Sequence, residues 1–400
     1  MLSFRGLTYG VAAALVALAV ITTLMVACGS SSESAGSIYG YGDGGRADTG
    51  SSLPDAFAGD AGGDAGMETG AVLPTTALFV QASPSLPDVR LCWETGVAVA
   101  PVVPFPGDGV MPGSNYPGVP LGGVAQMSDA RPLASAFQLY AIDAENLARI
   151  EQNQATPYLC SDLICGQGTN QPSPCLRYNF DYWPITTSAP GLQAGTNNVI
   201  ALSGCLPSAL DPAASTTLCG ASWTAVMGNL NTQVLQLQPT QATGSQLAVQ
   251  TAQLSSGLAA LVGDGGSAVV SFGTQGAADA STVATLQAEG LLAAPSVVSV
   301  GAGLAAYGQL GFAVDVQGFD GGAGHLWMSL AEAQQLVDPT QSPMVFFGQP
   351  RTYLVAVLGD PNAPHAFASG GDAGYDGKGL HVLVVAAPVP SMGIGDGGEE

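Results

Sequence analysis

The chain has 400 residues, with 30 acids against 8 bases, a formal net charge of −22 and a single lysine, Lys378. That balance excludes nucleic acid as a partner, because phosphate contacts need clustered Lys and Arg. Hydrophobic residues make up 47% and charged residues only 10%, with 55 glycines, so a core is available but must be cut into short elements by many turns.

The first element is an export signal. Arg5 is the only charge before an apolar run from Val11 to about Val26, and small residues follow up to Cys28. This is the tripartite order of a secretory leader. The run falls short of the roughly 20 apolar residues a spanning helix needs unless it is counted back to Leu7, so an uncleaved anchor is the alternative. Met25, Val26, Ala27 and Cys28 resemble the lipobox of bacterial lipoproteins, with Met25 in the place of Leu. The resemblance implies cleavage after residue 27, a diacylglyceryl thioether on Cys28, and the membrane as a partner through that anchor. Gly29 is not the Asp associated with inner-membrane retention, which implies the outer membrane. Two or three acyl chains hold a protein firmly, whereas one is marginal.

From residue 28 to 72 the chain is Gly, Ser, Ala and Asp with almost no apolar periodicity. Such a stretch cannot offset its conformational entropy by burial and reads as a disordered tether. A β-rich domain containing the cysteines is expected over 73–225, a second β-rich domain over 226–390, and a disordered acidic tail over 391–400.

With Cys28 assigned to lipid, six cysteines remain: Cys92, Cys160, Cys165, Cys175, Cys205 and Cys219. An even number in an exported chain points to up to three disulfides, with fifteen possible pairings. Zinc is the rival reading, but the segment holds no Cys-x-x-Cys pair and no histidine.

Strands are expected at Ala77 to Gln81, Val89 to Trp93, Ala136 to Ile142 and Asn198 to Leu202. A short helix should follow Asp143, in AENLARIEQ. Later strands are expected in TQVLQLQ from Thr232, in the alternating QLAVQTAQL, in YLVAVL from Tyr353 and in LHVLVVA from Leu380. LAALV and SAVVSF flank Gly263-Asp264-Gly265-Gly266 and read as a hairpin. Helices are expected over Ser281 to Glu289, ended by Gly290, and after Ser329, whose partner Glu332 completes a capping box. The fold class is mainly β: tandem β-sandwich-like modules with a few short helices, with a single large sandwich as the alternative.

The strand-turn-strand from Leu78 to Trp93, with its ASPSLPDVRLCW core, resembles the start of the bacterial envelope family called domain of unknown function 4397. VLQLQPTQATGSQLAV repeats that layout, and GQPRTYLVAVLGDP from Gly348 is similar to a late strand of the family. The resemblance implies repeated β-sandwich modules on exported surface proteins and carries no catalytic residues with it.

Enzyme signatures are missing: no Gly-x-Ser-x-Gly elbow, no His-Glu-x-x-His helix and no Gly-rich phosphate loop ending in Lys-Ser/Thr. The three histidines, His325, His365 and His381, would nearly all be needed for one metal or triad site. Most acids sit in Gly-rich turns, where Asp suits the backbone. Asp372 and Asp376 in GGDAGYDGKG offer the only calcium candidate, without EF-hand spacing. No other cofactor is expected. Tyr178, Phe180, Tyr182 and Trp183 follow Cys175 in RYNFDYWP; on an extended segment Tyr178, Phe180 and Tyr182 share a face, either as core beneath the disulfides or as a binding surface for a glycan or an envelope protein. The expected function is that of a lipid-anchored envelope protein with a non-catalytic binding or structural role; an exported hydrolase with an acidic site is the alternative.

Overall fold

The computed structural model describes residues 75–387, apart from 96–103, 107–117, 128–129, 153–157, 164–174, 186–188, 241, 243–244, 263–266, 277–279, 287–291, 301–303, 318–323, 338–340, 350 and 362–378. The expected signal peptide, Cys28, the tether and the acidic tail therefore lie outside the described residues. So do Cys165, His365, Asp372 and Asp376. The described part is mainly β with a few short helices.

The first half opens with β1 (Thr76–Gln81) and β2 (Val89–Thr95), followed by β3 (Val124–Met127), β4 (Phe137–Asp143), β5 (Tyr182–Pro184), β6 (Asn197–Ser203) and β7 (Asn231–Leu237). Sheet I has the order β3-β1-β6-β7, and sheet II the order β2-β4-β5. Every residue of β1 is buried. Its alternate side chains enter two different cores: Leu78 and Val80 face one, Ala77 and Phe79 the other. A strand covered on both faces gains from apolar residues at consecutive positions, which is why ALFVQ and NVIAL show no polar alternation.

The second half consists of β8 (Gln246–Gln253), β9 (Ser267–Thr274), β10 (Ser281–Leu286), β11 (Ser296–Ser299), β12 (Leu310–Gln317), β13 (Gly324–Ser329), β14 (Thr352–Leu358) and β15 (His381–Ala386). Sheet III runs β11-β8-β14-β15 and sheet IV runs β10-β9-β12-β13. The two halves share one topology. β1 pairs antiparallel with β3 and parallel with β6, and β6 antiparallel with β7; β8 does the same with β11 and β14, and β14 with β15. In the facing sheets, β4 lies between β2 and β5 as β12 lies between β9 and β13. Even β10 has a counterpart, because Phe105 bridges Leu91 on the open side of β2.

A side-chain clasp recurs at the same place in both halves. The Gln81 carboxamide bonds the backbone of Ser83 in both directions, and the Ser83 hydroxyl donates to the Gly204 carbonyl at 2.7 Å. Gln253 and Ser255 repeat this on the Gly359 carbonyl at 2.6 Å. Gly204 and Gly359 stand two residues beyond the strand positions paired with Gln81 and Gln253, and both have positive φ.

The sheets stack in the order II, I, III, IV. One face of sheet I packs on sheet II through Phe79, Ile200, Leu91 and Leu139. The other shares a core with the second half through Leu78, Val80, Val199 and Ala201. All seven residues of β14 are buried, again the mark of a strand covered on both faces.

Three sequence expectations are corrected. LAALV is not a hairpin strand but part of helix α4 (Ser256–Val262), because the Ser255 hydroxyl accepts from the Leu258 amide and starts a helical turn. Ser281 to Glu289 is not a helix: its described part is β10, rich in β-branched residues, whose Thr282 and Thr285 pair with β9 on either side of a register shift at Val283. In β8 the first polar residue, Gln246, is exposed, but Gln250, Thr251 and Gln253 are buried, and the Gln250 side chain bonds Gln238 and Ala293. Finally, β7 pairs with β6, so a boundary at 225/226 would cut it from the sheet it completes. The two sets of strands divide between Leu237 and Gln246, and the echo starting in VLQLQ is out of step with the repeat.

The other helices follow their caps. Asp143 caps α1 (Ala144–Glu151) by accepting from the Glu145 and Asn146 amides. Helices α2 (Cys160–Leu163) and α3 (Thr216–Cys219) are single turns held by bridged cysteines. After α4 come α5 (Leu304–Gln309), α6 (Leu330–Val337) and α7 (Pro343–Phe347). The expected capping box starts α6: Glu332 accepts from the Ser329 amide and Ser329 from the Glu332 amide. No helix among the described residues is long and apolar enough to cross a membrane.

Candidate functional site

The shared topology isolates what is particular to each half. Between β12 and β13 the chain runs only from Gln317 to Gly324, but between the equivalent β4 and β5 it runs from Asp143 to Tyr182. This insertion carries α1, α2 and the aromatic segment. It has its own small core of Ile142, Leu147, Leu163, Leu176 and Tyr182 around the Cys92–Cys160 disulfide. Cys175 is also disulfide-bonded.

The aromatic segment is a turn rather than an extended strand, which corrects the shared face expected from alternation. The amides of Phe180 and Asp181 both donate to the Arg177 carbonyl, and the Asn179 amide donates to Tyr182. Asn179 adopts a φ of 59°, which Asn tolerates better than other side chains. The Asp181 carboxylate accepts from the Arg177 backbone amide at 2.8 Å and from its Nε at 2.9 Å. The turn is thus closed twice.

This geometry separates the four candidate aromatics. Tyr182 and Trp183 are buried, each 7% exposed, whereas Tyr178 is 58% and Phe180 62% exposed. Trp183 fills the core between sheets I and II. Tyr182 supports Tyr178 edge-on, with centroids 5.9 Å apart, and meets Tyr140 at 6.5 Å. The Tyr140 hydroxyl donates to Glu94 at 2.9 Å; burial and that carboxylate push its pKa up to about 12. The Arg177 guanidinium lies 5.3 Å from the Phe180 ring centroid. A row therefore runs from Glu94 through Tyr140 and Tyr182 to Tyr178, with Phe180 and Arg177 on the same turn.

The flanking charge is negative. Asp88 and Asp143 are raised above the usual carboxylate range: Asp88 first by burial and then by Asp143, and Asp143 by burial, which outweighs the lowering by the Asn146 and Glu145 amides and is reinforced by the Glu145 and Asp181 charges. For Asp181 burial acts in the same direction, but its bonds to Arg177 outweigh it and the group is lowered. None of Asp88, Glu94, Asp143 and Glu145 forms an ion pair with a base among the described residues.

A second insertion leaves the same end of the first half, between β6 and β7, and is closed by the Cys205–Cys219 disulfide. Asn229 ties it together: its side chain accepts from the Cys205 amide and donates to the Cys219 carbonyl. Val226 and Met227 project from it, 85% and 80% exposed. The β1–β2 turn connects the two insertions, since Ser85 bonds the Leu206 amide and the Asp88 carbonyl accepts from Ala144. Of the eight exposed large hydrophobic residues among the described residues, five, including Leu159, belong to these two insertions.

The two described histidines have different partners. His325 on β13 meets Asp315 of the neighbouring β12, at 2.7 Å on an exposed face. His381 begins β15, with Nδ1 bonded to the Gly379 carbonyl. Among the described residues no group of three His, Cys, Asp or Glu side chains is arranged to hold a metal ion.

His381 has a structural consequence instead. A Cβ on Gly122, in the turn before β3, would lie 2.4 Å from its Nε2, so the imidazole fills the seam between the halves. Burial lowers its pKa below 6.5, against a smaller rise from the Gly379 bond. Between the folded-state pKa and 6.5 the unfolded chain therefore binds more protons, and stability falls as pH drops through that window. His381→Gln is expected to flatten the dependence of melting temperature on pH below 6.5; an unchanged slope would assign it elsewhere.

Tyr140, Glu94, Arg177, Leu159, Val226 and Met227 were not among the site residues expected from sequence. Only the Val226-Met227 pair, apolar in a loop next to Cys219, carried a local signal. No family model and no curated protein matches the chain. Among solved structures, a "putative cell adhesion protein" from Bacteroides uniformis is 12% identical over 80% of this chain and 98% of that one, with a TM-score of 0.19. A protein of the same description from Bacteroides eggerthii is 9% identical over 79% and 96%, also at 0.19. Similarity at this level carries no argument about fold or function.

Proposed function

We propose that the protein is a non-catalytic binding protein of the bacterial cell envelope, held by lipid on Cys28, with the disulfide-braced end of its first half as the recognition surface. The observation that carries this reading is the pair Tyr178 and Phe180: two rings more than half exposed on a turn closed by Arg177 and Asp181. Exposed aromatics cost solvation, and holding them rigid lowers the entropy lost on binding. Aromatic side chains on fixed loops are the usual energetic centres of interfaces.

Two measurements test the two parts. Cys28→Ala is expected to abolish incorporation of labelled palmitate; labelling that survives the substitution refutes the anchor. The double variant Tyr178→Ala/Phe180→Ala is expected to melt within about 1 kcal/mol of the parent, since exposed side chains contribute little to stability. It should nonetheless bind isolated envelopes at least about tenfold more weakly. Equal binding by parent and variant would remove this surface from the function.

A further inference from the structure

Resting on that reading, we propose that the aromatic turn recognises a cationic polypeptide segment, one presenting Arg or Lys side chains. The rings offer π faces, which attract guanidinium and ammonium groups when these lie within about 6 Å of the centroid. The turn already accommodates such a group, with Arg177 5.3 Å from the Phe180 centroid.

Charge complementarity selects the occupant. Arg177 is engaged by Asp181, while Asp88, Glu94, Asp143 and Glu145 have no basic ion-pair partner among the described residues. Asp143 disfavours the ionisation of Asp88, and Glu145 and Asp181 disfavour that of Asp143, so this run of carboxylates, placed along the aromatic row, gains from an arriving positive charge. An anionic polymer would meet repulsion here and from a chain of net charge −22. A neutral sugar would use the rings but leave the carboxylates uncompensated. A cationic segment satisfies both: its charged heads meet Glu94 and Asp143, and its stems and guanidinium planes lie on Tyr178 and Phe180.

The test uses the intact chain in detergent, titrated calorimetrically with a hepta-arginine peptide and, separately, with maltoheptaose. The variant Tyr178→Leu/Phe180→Leu keeps apolar area but removes the π faces. The peptide is expected to bind the parent, to weaken as salt rises, and to bind the leucine variant about tenfold less tightly. Equal peptide affinity in parent and variant overturns the proposal, because acids elsewhere would then account for the binding. Ring-dependent, salt-independent binding of maltoheptaose would overturn it in favour of a glycan. If the alanine variant still loses envelope binding in either case, only the partner class falls and the recognition surface stands.

Discussion

Replacing Cys92 and Cys160 together by alanine is expected to destabilise the chain by about 4 kcal/mol, more than the roughly 3 kcal/mol expected for Cys205 and Cys219. The order follows from loop length: the first bridge joins residues 68 apart and the second residues 14 apart, and a longer closed loop restricts the unfolded chain more. Packing acts in the same direction. Cys92 and Cys160 sit at the centre of the insertion's own core with Ile142, Leu147, Leu163 and Leu176, whereas Cys205 and Cys219 pack with Ala214, Leu218 and Trp223. Opening the first bridge therefore also loosens Tyr182, on which Tyr178 rests, and the Cys92→Ala/Cys160→Ala variant should lose envelope binding. Urea titrations of the two double variants measure the order. If the Cys205 and Cys219 pair proves the more costly, loop entropy does not govern these bridges.

Much of the strand set was legible, for a physical reason. β1, β6, β14 and β15 are covered on both faces, so their sequences are short unbroken apolar runs between turn residues, a strong local signal. The misreadings arose where local sequence is degenerate. LAALV suits a strand or a helix equally, and the deciding contact is the Ser255 hydroxyl on the Leu258 amide. In Ser281 to Leu286 the β-branched residues favoured a strand, but the later Gly290 invited a helix reading. In β8 only Gln246 is exposed, and the polar positions do not mark a solvent face: Gln250 and Gln253 are buried with bonded carboxamides. At the site, the sequence located the aromatic cluster yet not which rings are exposed. That depends on Asp181 folding back on Arg177, a contact between neighbours that turns an extended segment into a tight turn. The duplication was legible in principle, since Gln81-Ala82-Ser83 and Gln253-Leu254-Ser255 carry the same clasp, but two polar residues are a small signal among so many Ala, Ser and Gln.

That clasp is where the fold should be most sensitive to single substitutions. Gly359→Ala is expected to cost roughly 2–5 kcal/mol, combining left-handed strain at φ 101° with overpacking. The new methyl group would sit 2.2 Å from the Gly379 carbonyl oxygen, which is backbone and has little freedom to retreat. Gly204→Ala should behave alike, its Cβ falling 2.4 Å from the Asn229 carbonyl oxygen at φ 78°. Ser83→Ala and Ser255→Ala are milder, about 1–3 kcal/mol each, because they leave a buried glycine carbonyl without its donor. Equivalence of the halves predicts matched costs at the two glycines, with Ser255→Ala costlier than Ser83→Ala because the Ser255 hydroxyl also accepts from the Leu258 amide, and the shared core predicts something further. Since Leu78 and Val80 pack into the core of the second half, a variant in either clasp should shift one common unfolding transition monitored through Trp183 and Trp327. Two separated transitions would mean that the halves fold independently and that the seam holding His381 against Gly122 contributes little. Coincident transitions would make the second half the support on which the recognition end of the first is kept rigid.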